Sequence, residues 1–420
     1  MSMLNRRSNL TLILSTVVLG VFVGAGALVL GSFLDLIEQL FLNFEESAFR
    51  PAPSMISPVH RLLSLVVGGL IAAVLWWWIS ARLKPSGSVN SAVAGKRMPV
   101  GSTLVDVITQ IFYVGTGGPV GREVAPRQLG ALIAQSWVDL LNRVRSIKIT
   151  EDDRKLLIAS AAGAGFAGIY LAPITGMMFC VEILLKKATK RTVAVSLTMS
   201  IIAMLVGSIL RGFNPYYLVG SGKFSVDSLL LVLVIAPVCG IVGALFRRSF
   251  QWAGRHKAQK ATILWQLPLI SLVTGLIAMS FPEVMGNGRS LAEAAIHMHL
   301  STTATALLIG ALAKGTVTVL TLKSGAAGGT LTPSISIGAV IGGVIGFVAS
   351  LFFPGIQIWQ YAVIGASALL ATSQQAPLMA LFMLFEICHL NYSALLPLGL
   401  GVCLALAFGN LVIKIWPVKV

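Results

Sequence analysis

Along the chain, long apolar runs alternate with short polar breaks. Runs near the roughly 20 residues needed to cross a bilayer occur at 10–34, 62–79, 156–182, 193–210, 229–246, 263–281, 304–322, 335–353, 361–385 and 395–415. Ten such runs predict an all-α integral membrane bundle rather than a soluble domain on an anchor. The first run follows Arg6 and Arg7 and so resembles a signal peptide. It is far longer than the usual 7–15-residue apolar core and no clear small-residue cleavage site follows, which predicts a retained first helix.

Composition agrees with this pattern. Of 420 residues, 56% are hydrophobic and 11% charged, outside the mix of soluble domains. The net charge of +16 would suggest nucleic acid if it were spread over a surface. Instead the basic residues gather between apolar runs: Arg6 and Arg7; Lys186, Lys187, Lys190 and Arg191; Arg247, Arg248, Arg255, Lys257 and Lys260. That is the positive-inside pattern. It predicts a multi-pass protein of the cell (inner or plasma) membrane, embedded in lipid, with a cytoplasmic N-terminus and no nucleic-acid partner.

Cys180, Cys239, Cys388 and Cys403 all fall in apolar runs without C-x-x-C spacing, which predicts packing residues rather than a disulfide or zinc framework. His297 and His299 are two apart, a spacing that points to different faces of a helix and argues against a metal site. No cofactor motif or nucleophile–base pair occurs, so no enzyme and no cofactor is expected.

The two halves of the chain repeat one another. Ala172-Pro173 is followed at the tenth position by Glu182, and Ala376-Pro377 likewise by Glu386; upstream, Gly130-Ala131 corresponds to Gly338-Ala339. The offset is 204 to 208 residues in both cases. This predicts a first membrane repeat over 1–246, a cytoplasmic linker over 247–260 and a second repeat over 261–420, with no soluble regulatory domain expected. Internal repeats with interrupted helices are a common plan of secondary transporters.

Three polar, glycine-rich stretches stand just before new helical patterns, at 85–90, 117–126 and 323–333. Glycine admits close backbone approach, and a helix start presents four unbonded N–H groups with about half a positive charge. Converging helix starts therefore make an anion site without a buried cation. The ordinary alternative is an extramembrane loop with local caps. Lys314 and Lys323 lie before the third stretch, either raising its potential or reaching along their stems to an interface.

Gly121-Arg122-Glu123, with Gln128 and Gly130 beyond it, resembles the G-[KR]-E-G-P motif of the CLC family of chloride channels and transporters. Gly329-Thr330-Leu331-Thr332-Pro333 resembles its G-x-F-x-P motif, and Asn391-Tyr392 with Leu396-Pro397 extends the match over nearly the whole membrane region. The resemblance implies a bundle of tilted, broken helices in two inverted-topology repeats, and homodimers in which each subunit has its own pathway. It implies transport of a halide, chloride or fluoride, coupled to protons, with Glu123 as the gating carboxylate. The anion-binding residues it implies are Gly87, Ser88, Asn90, Gly121, Arg122, Val124, Gly329, Thr330, Leu331 and Thr332.

Departures from the family pattern matter as much. The serine of its G-S-G-I-P motif falls on Gly87 in one alignment and on Ser88 in the next, with Asn90 at the proline position. Val124-Ala125-Pro126 replaces Gly-Pro after the gate, and Leu331 stands for phenylalanine. The internal proton-relay position falls on Ile183, one residue past Glu182, so relay by Glu182 competes with an interfacial ion pair to Lys186 and Lys187. The tyrosine expected near the end is absent from 411–420, where Trp416 is the aromatic residue. A divergent, fluoride-exporting branch of the family lacks the same residues, and fluoride would need strong donors such as Asn90, Thr330 and Thr332. A passive channel on the same fold is the alternative, which Ile183 favours. An unrelated cation/proton antiporter is more remote, since few acids (Asp106, Glu123, Glu182, Glu386) lie within apolar runs.

Overall fold

The computed structural model describes residues 3–47, 49–143, 149–210, 212–225, 228–298 and 301–415. His299 and Trp416 lie outside the described residues. Among the described residues are sixteen α-helices and no β-sheet. Eight helices are long and apolar enough to span a membrane. Apolar runs and helices coincide closely at Pro58–Arg82, Ile263–Ser280 and Leu395–Ile415.

Two runs that read as single spans are broken. The first becomes Glu151–Tyr170 and Pro173–Met178, the latter running into a π-helical turn at Phe179–Leu184. The other becomes Ile358–Gln374 and Pro377–Ile387. Each break is made the same way. Leu171 and Gln375 take left-handed conformations (φ 55° and 56°), Ala172 and Ala376 turn extended, and a proline opens the next helix. Proline lacks the N–H that would continue the ladder and keeps the preceding residue out of the helical region. Hydropathy cannot register this, because every residue at the first break is apolar.

The polar stretch at 247–260 begins as helix: Ser228–Arg255 runs through Arg247 and Arg248, and Arg247 Nη1 donates to Ser373 O at 2.7 Å. Val100–Gly115 and Val124–Leu141 are helices that the ten apolar runs leave out.

The chain forms two compact units. One comprises Met1–Phe33, Trp78–Ile111 and Glu123–Asn214; the other comprises Leu34–Trp77, Phe112–Arg122 and Pro215–Val420. In the first, Val124–Leu141 packs on Glu151–Tyr170, and a Cβ on Gly130 would lie 2.2 Å from Ala161 O. In the second, Leu331–Ser350 packs on Ile358–Gln374, and a Cβ on Gly338 would lie 2.4 Å from Gly365 O. The same helix pair thus closes backbone to backbone at the same place in both halves. A second correspondence supports this. A Cβ on Gly163 would lie 2.2 Å from Gly176 O, and at the positions 204 residues on, Ser367 Oγ donates to Ala380 O. Positions related by the 204 to 208 offset thus make close helix contacts, each inside its own unit.

Candidate functional site

The second and third glycine-rich stretches meet. Gly121 N donates to Gly329 O and Gly329 N to Gly121 O, both at 2.8 Å, in an isolated antiparallel bridge. These glycines are 208 residues apart, the same offset as the Gly130 and Gly338 match. Helix Val124–Leu141 begins three residues past one glycine and helix Leu331–Ser350 two residues past the other. Glu123 and Thr330 are their N-cap residues, and neither side chain closes back on its own helix. Pro126 and Pro333 follow three residues after each cap. Proline there withholds one amide and leaves the two preceding ones as the donors of the first turn.

The loop that carries Gly121 is fastened at each step inside the second unit. Ser64 Oγ donates to Thr116 O at 2.9 Å, Gly286 N to Gly117 O at 2.8 Å, and Thr318 Oγ1 to Pro119 O at 2.7 Å. Gly117 has φ +103°, a conformation glycine takes without strain. Lys314 does not lie along an interface. It is fully buried, and its Nζ donates to Val284 O at 2.9 Å and to Gly286 O, bracing the turn that holds Gly117. A buried ammonium satisfied by carbonyls costs less than an unpaired one.

Glu123 is fully buried. Its carbonyl accepts from Arg127 Nε at 2.7 Å, and the Arg127 guanidinium lies over the Phe179 ring at 4.8 Å. Arg122 turns elsewhere. It is 4% exposed, with Nη1 3.7 Å from Glu46 Oε1 and its guanidinium 5.3 Å from the centre of the Tyr216 ring. Val124 is half-buried, while Leu331 and Thr332 are buried. Thr330 Oγ1 accepts from Gln374 Nε2 at 3.2 Å, and Thr330 O from Ser334 Oγ at 2.7 Å.

The first stretch is arranged differently. Ser88 is an exposed N-cap of the short helix Val89–Val93, its oxygen accepting from Ser91 N at 3.2 Å, and Asn90 is exposed. Gly87 is half-buried, and its carbonyl accepts from Gln128 Nε2 at 3.4 Å. Around it runs a polar chain. Ser86 Oγ donates to Asp106 Oδ2 at 2.7 Å, Gln128 Nε2 to the same oxygen at 3.3 Å, and Gln110 Nε2 to Gln128 Oε1 at 2.6 Å. Glu182 is half-buried in the π-helical turn, with the apolar Ile183 beside it.

Sequence reasoning missed Glu46 and Tyr216, which contact Arg122, and Asn287 and Arg289, which contact Tyr216, as well as the bracing role of Lys314. Nothing local in the text marks Glu46 apart from Glu45.

A bundle of apolar helices, two of its spans broken at proline, with a buried carboxylate at the N-cap of helix Val124–Leu141, has the build of a membrane ion-transport protein. The chain belongs to the voltage-gated chloride channel (CLC) family, whose model matches residues 68–410. A "Voltage-gated ClC-type chloride channel ClcB" of Salmonella typhi is 29% identical over 368 residues, covering 84% of this chain and 85% of its own. Among solved structures, a slow cyanobacterial Cl−/H+ antiporter superposes with a TM-score of 0.79 at 21% identity, covering 96% of this chain and 94% of its own. A CLC-type fluoride/proton antiporter superposes with a TM-score of 0.70 at 22% identity, covering 95% of each. The fold is the all-helical CLC fold.

Proposed function

We propose that this protein exchanges a halide, chloride or fluoride, for protons across the cell membrane, with Glu123 as gate. The observation that carries the reading is the buried Glu123 carboxylate at the start of a helix that leaves the Gly121–Gly329 bridge, its side chain not spent on capping that helix. A carboxylate inside a membrane protein is costly to keep and marks a functional group by default. Ionised, it takes the place of an anion at the positive end of the helix. Protonated, it loses that attraction and leaves the place to a halide, so one proton taken up accompanies the anion's passage. Val124, Leu331 and Thr332 offer backbone amides, and Thr330 and Thr332 offer hydroxyls; Gly121 and Gly329, whose amides are spent on the bridge, let the backbone come close to the anion. Arg122, tied to Glu46, acts through its field rather than as a direct ligand.

Halves 1–246 and 261–420 act as inverted repeats joined through 247–260, the N-terminus faces the cytoplasm, and two chains associate as a homodimer with one pathway each. Ile183 occupies the relay position, and Glu182, half-buried one residue before it, is the candidate for a displaced proton relay. That substitution also favours the second reading, a passive anion channel on the same fold. Purified protein in liposomes loaded with chloride or with fluoride decides between them. Anion efflux accompanied by proton uptake establishes exchange and names the halide; efflux with no proton movement establishes the channel.

A further inference from the structure

A second concentration of charge lies in the unit that carries Arg122. Glu46, on the non-helical segment after helix Met3–Leu42, offers one carboxylate oxygen, Oε1, to three groups at once. Tyr216 OH donates to it at 3.3 Å, Arg289 Nη1 stands 3.4 Å away and Arg122 Nη1 3.7 Å away. The Arg122 and Arg289 side chains are 4% and 7% exposed, and that of Glu46 is 10% exposed. Among the described residues Glu38 also faces Glu46, its Oε2 accepting from Glu46 N at 2.8 Å.

Tyr216 and Arg289 are held by contacts that do not involve Glu46, and the Arg122 guanidinium lies 5.3 Å from the centre of the Tyr216 ring. Asn287 Nδ2 donates to the Tyr216 hydroxyl oxygen at 3.0 Å, so the phenol proton is directed to the carboxylate. Asn287 Oδ1 accepts from Arg289 N at 2.9 Å, and Arg289 Nη2 donates to Tyr216 O. The Arg289 guanidinium lies 4.0 Å from the centre of the Tyr216 ring. Tyr216 N is itself bonded to Ile387 O at 2.7 Å. The cradle is therefore preorganised, and removal of the carboxylate would leave two buried guanidiniums and a directed hydroxyl around one vacancy.

All three approaches are longer than the 2.7–2.9 Å of charge-assisted N–H···O bonds. Chloride, with its larger radius, sits farther from its donors than oxygen does; fluoride sits closer. We infer that Arg122, Arg289 and Tyr216 form a second anion subsite, of chloride size, one residue along the chain from Glu123, and that the Glu46 carboxylate holds it shut by competing for the same donors. The inference rests on the halide reading. It adds a second carboxylate that an anion must displace and a size preference set away from the helix starts.

The test is chloride and fluoride titration by calorimetry of the purified full-length protein, in detergent with a bulky organic counter-anion, for wild type, Glu46→Gln and Glu46→Gln/Tyr216→Phe. Removing a tethered competitor is expected to let Glu46→Gln bind one further chloride per chain, or bind chloride about tenfold more tightly. Fluoride should gain less, and Tyr216→Phe should cancel most of the gain. Should Glu46→Gln not yield folded protein, Glu46→Asp withdraws the carboxylate by one methylene while keeping its charge, and roughly threefold tighter chloride binding is expected. A folded Glu46→Gln or Glu46→Asp with wild-type stoichiometry and affinity overturns the subsite and leaves the cluster a structural clamp. A wild-type protein that binds neither halide overturns the halide reading and the subsite together.

Discussion

Gly130→Ala and Gly338→Ala should weaken the protein by similar amounts, because they open the same joint in the two repeats. At Gly130 the added methyl would sit 2.2 Å from Ala161 O and 2.9 Å from Ala161 C, and at Gly338 2.4 Å from Gly365 O. These partners are backbone atoms, so no rotamer change relieves the clash. The facing helices must separate by roughly 1 Å, losing dispersion contacts along the seam. Overpacking of this kind costs about 1–3 kcal/mol. Alanine's better helix propensity returns up to about 1 kcal/mol, leaving a net loss of about 1–2 kcal/mol per site. The sites lie in different compact units, so their effects should add. Thermal unfolding of detergent-solubilised protein should show each variant melting roughly 2–5 °C below wild type. Gly399→Ala is the control: it lies within helix Leu395–Ile415 and its nearest atom, Leu381 Cδ1, is 3.7 Å away. It should be neutral or stabilising by about 0.5–1 kcal/mol. Gly130→Ala or Gly338→Ala melting at or above wild type would refute the packing argument, and a large effect at one site with none at the other would refute the equivalence of the joints.

Thr318→Val removes the donor to the buried Pro119 carbonyl without changing shape, and should cost about 1–2 kcal/mol in the same melt, with Thr318→Ser restoring it. Arg97→Ala breaks an ion pair with Asp139 in which the arginine is 76% exposed, and should shift the melt by less than about 1 kcal/mol. The His297 pKa is raised above 6.5, chiefly by its hydrogen bond to Glu293, whose other oxygen accepts from Leu218 N at 3.0 Å. A raised pKa means that the pair's stabilisation is full below pH 6.5 and is lost as pH rises through the folded-state value. The melting difference between wild type and His297→Gln should therefore shrink with rising pH, and a difference that grows would contradict that sign.

What could be read from the text and what could not divides along physical lines. Helices that face lipid announce themselves by composition, as Leu395–Ile415 does almost to the residue. Val124–Leu141 does not, because Arg127, Gln128, Gln135 and Asp139 give it the mixed face of a helix packed among other protein elements. The breaks at Leu171 and Gln375 are invisible to hydropathy, yet the prolines two residues on were their signal. Gly121-Arg122-Glu123 was legible as a helix start because a glycine turn and the cap that follows it are contiguous in the chain. Ser88 illustrates the opposite case: the same hydroxyl serves an anion or a helix cap, and in the structure it accepts from Ser91 N. The Glu46–Arg122–Arg289–Tyr216 cluster joins residues up to 243 positions apart, and only folding brings them together. Lys314, read as a source of potential or as an interfacial lysine, is a brace because its ammonium finds two carbonyls on one turn.

The central claim is that the Glu123 carboxylate couples the anion to the proton. It is tested most directly by simultaneous recording of halide efflux and external pH from liposomes holding wild type or Glu123→Gln. The glutamine keeps the size of the side chain while removing its ability to take up and release a proton. The account predicts that wild type takes up protons as the halide leaves, and that Glu123→Gln still passes the halide with no proton movement. Unchanged proton uptake in Glu123→Gln would contradict it.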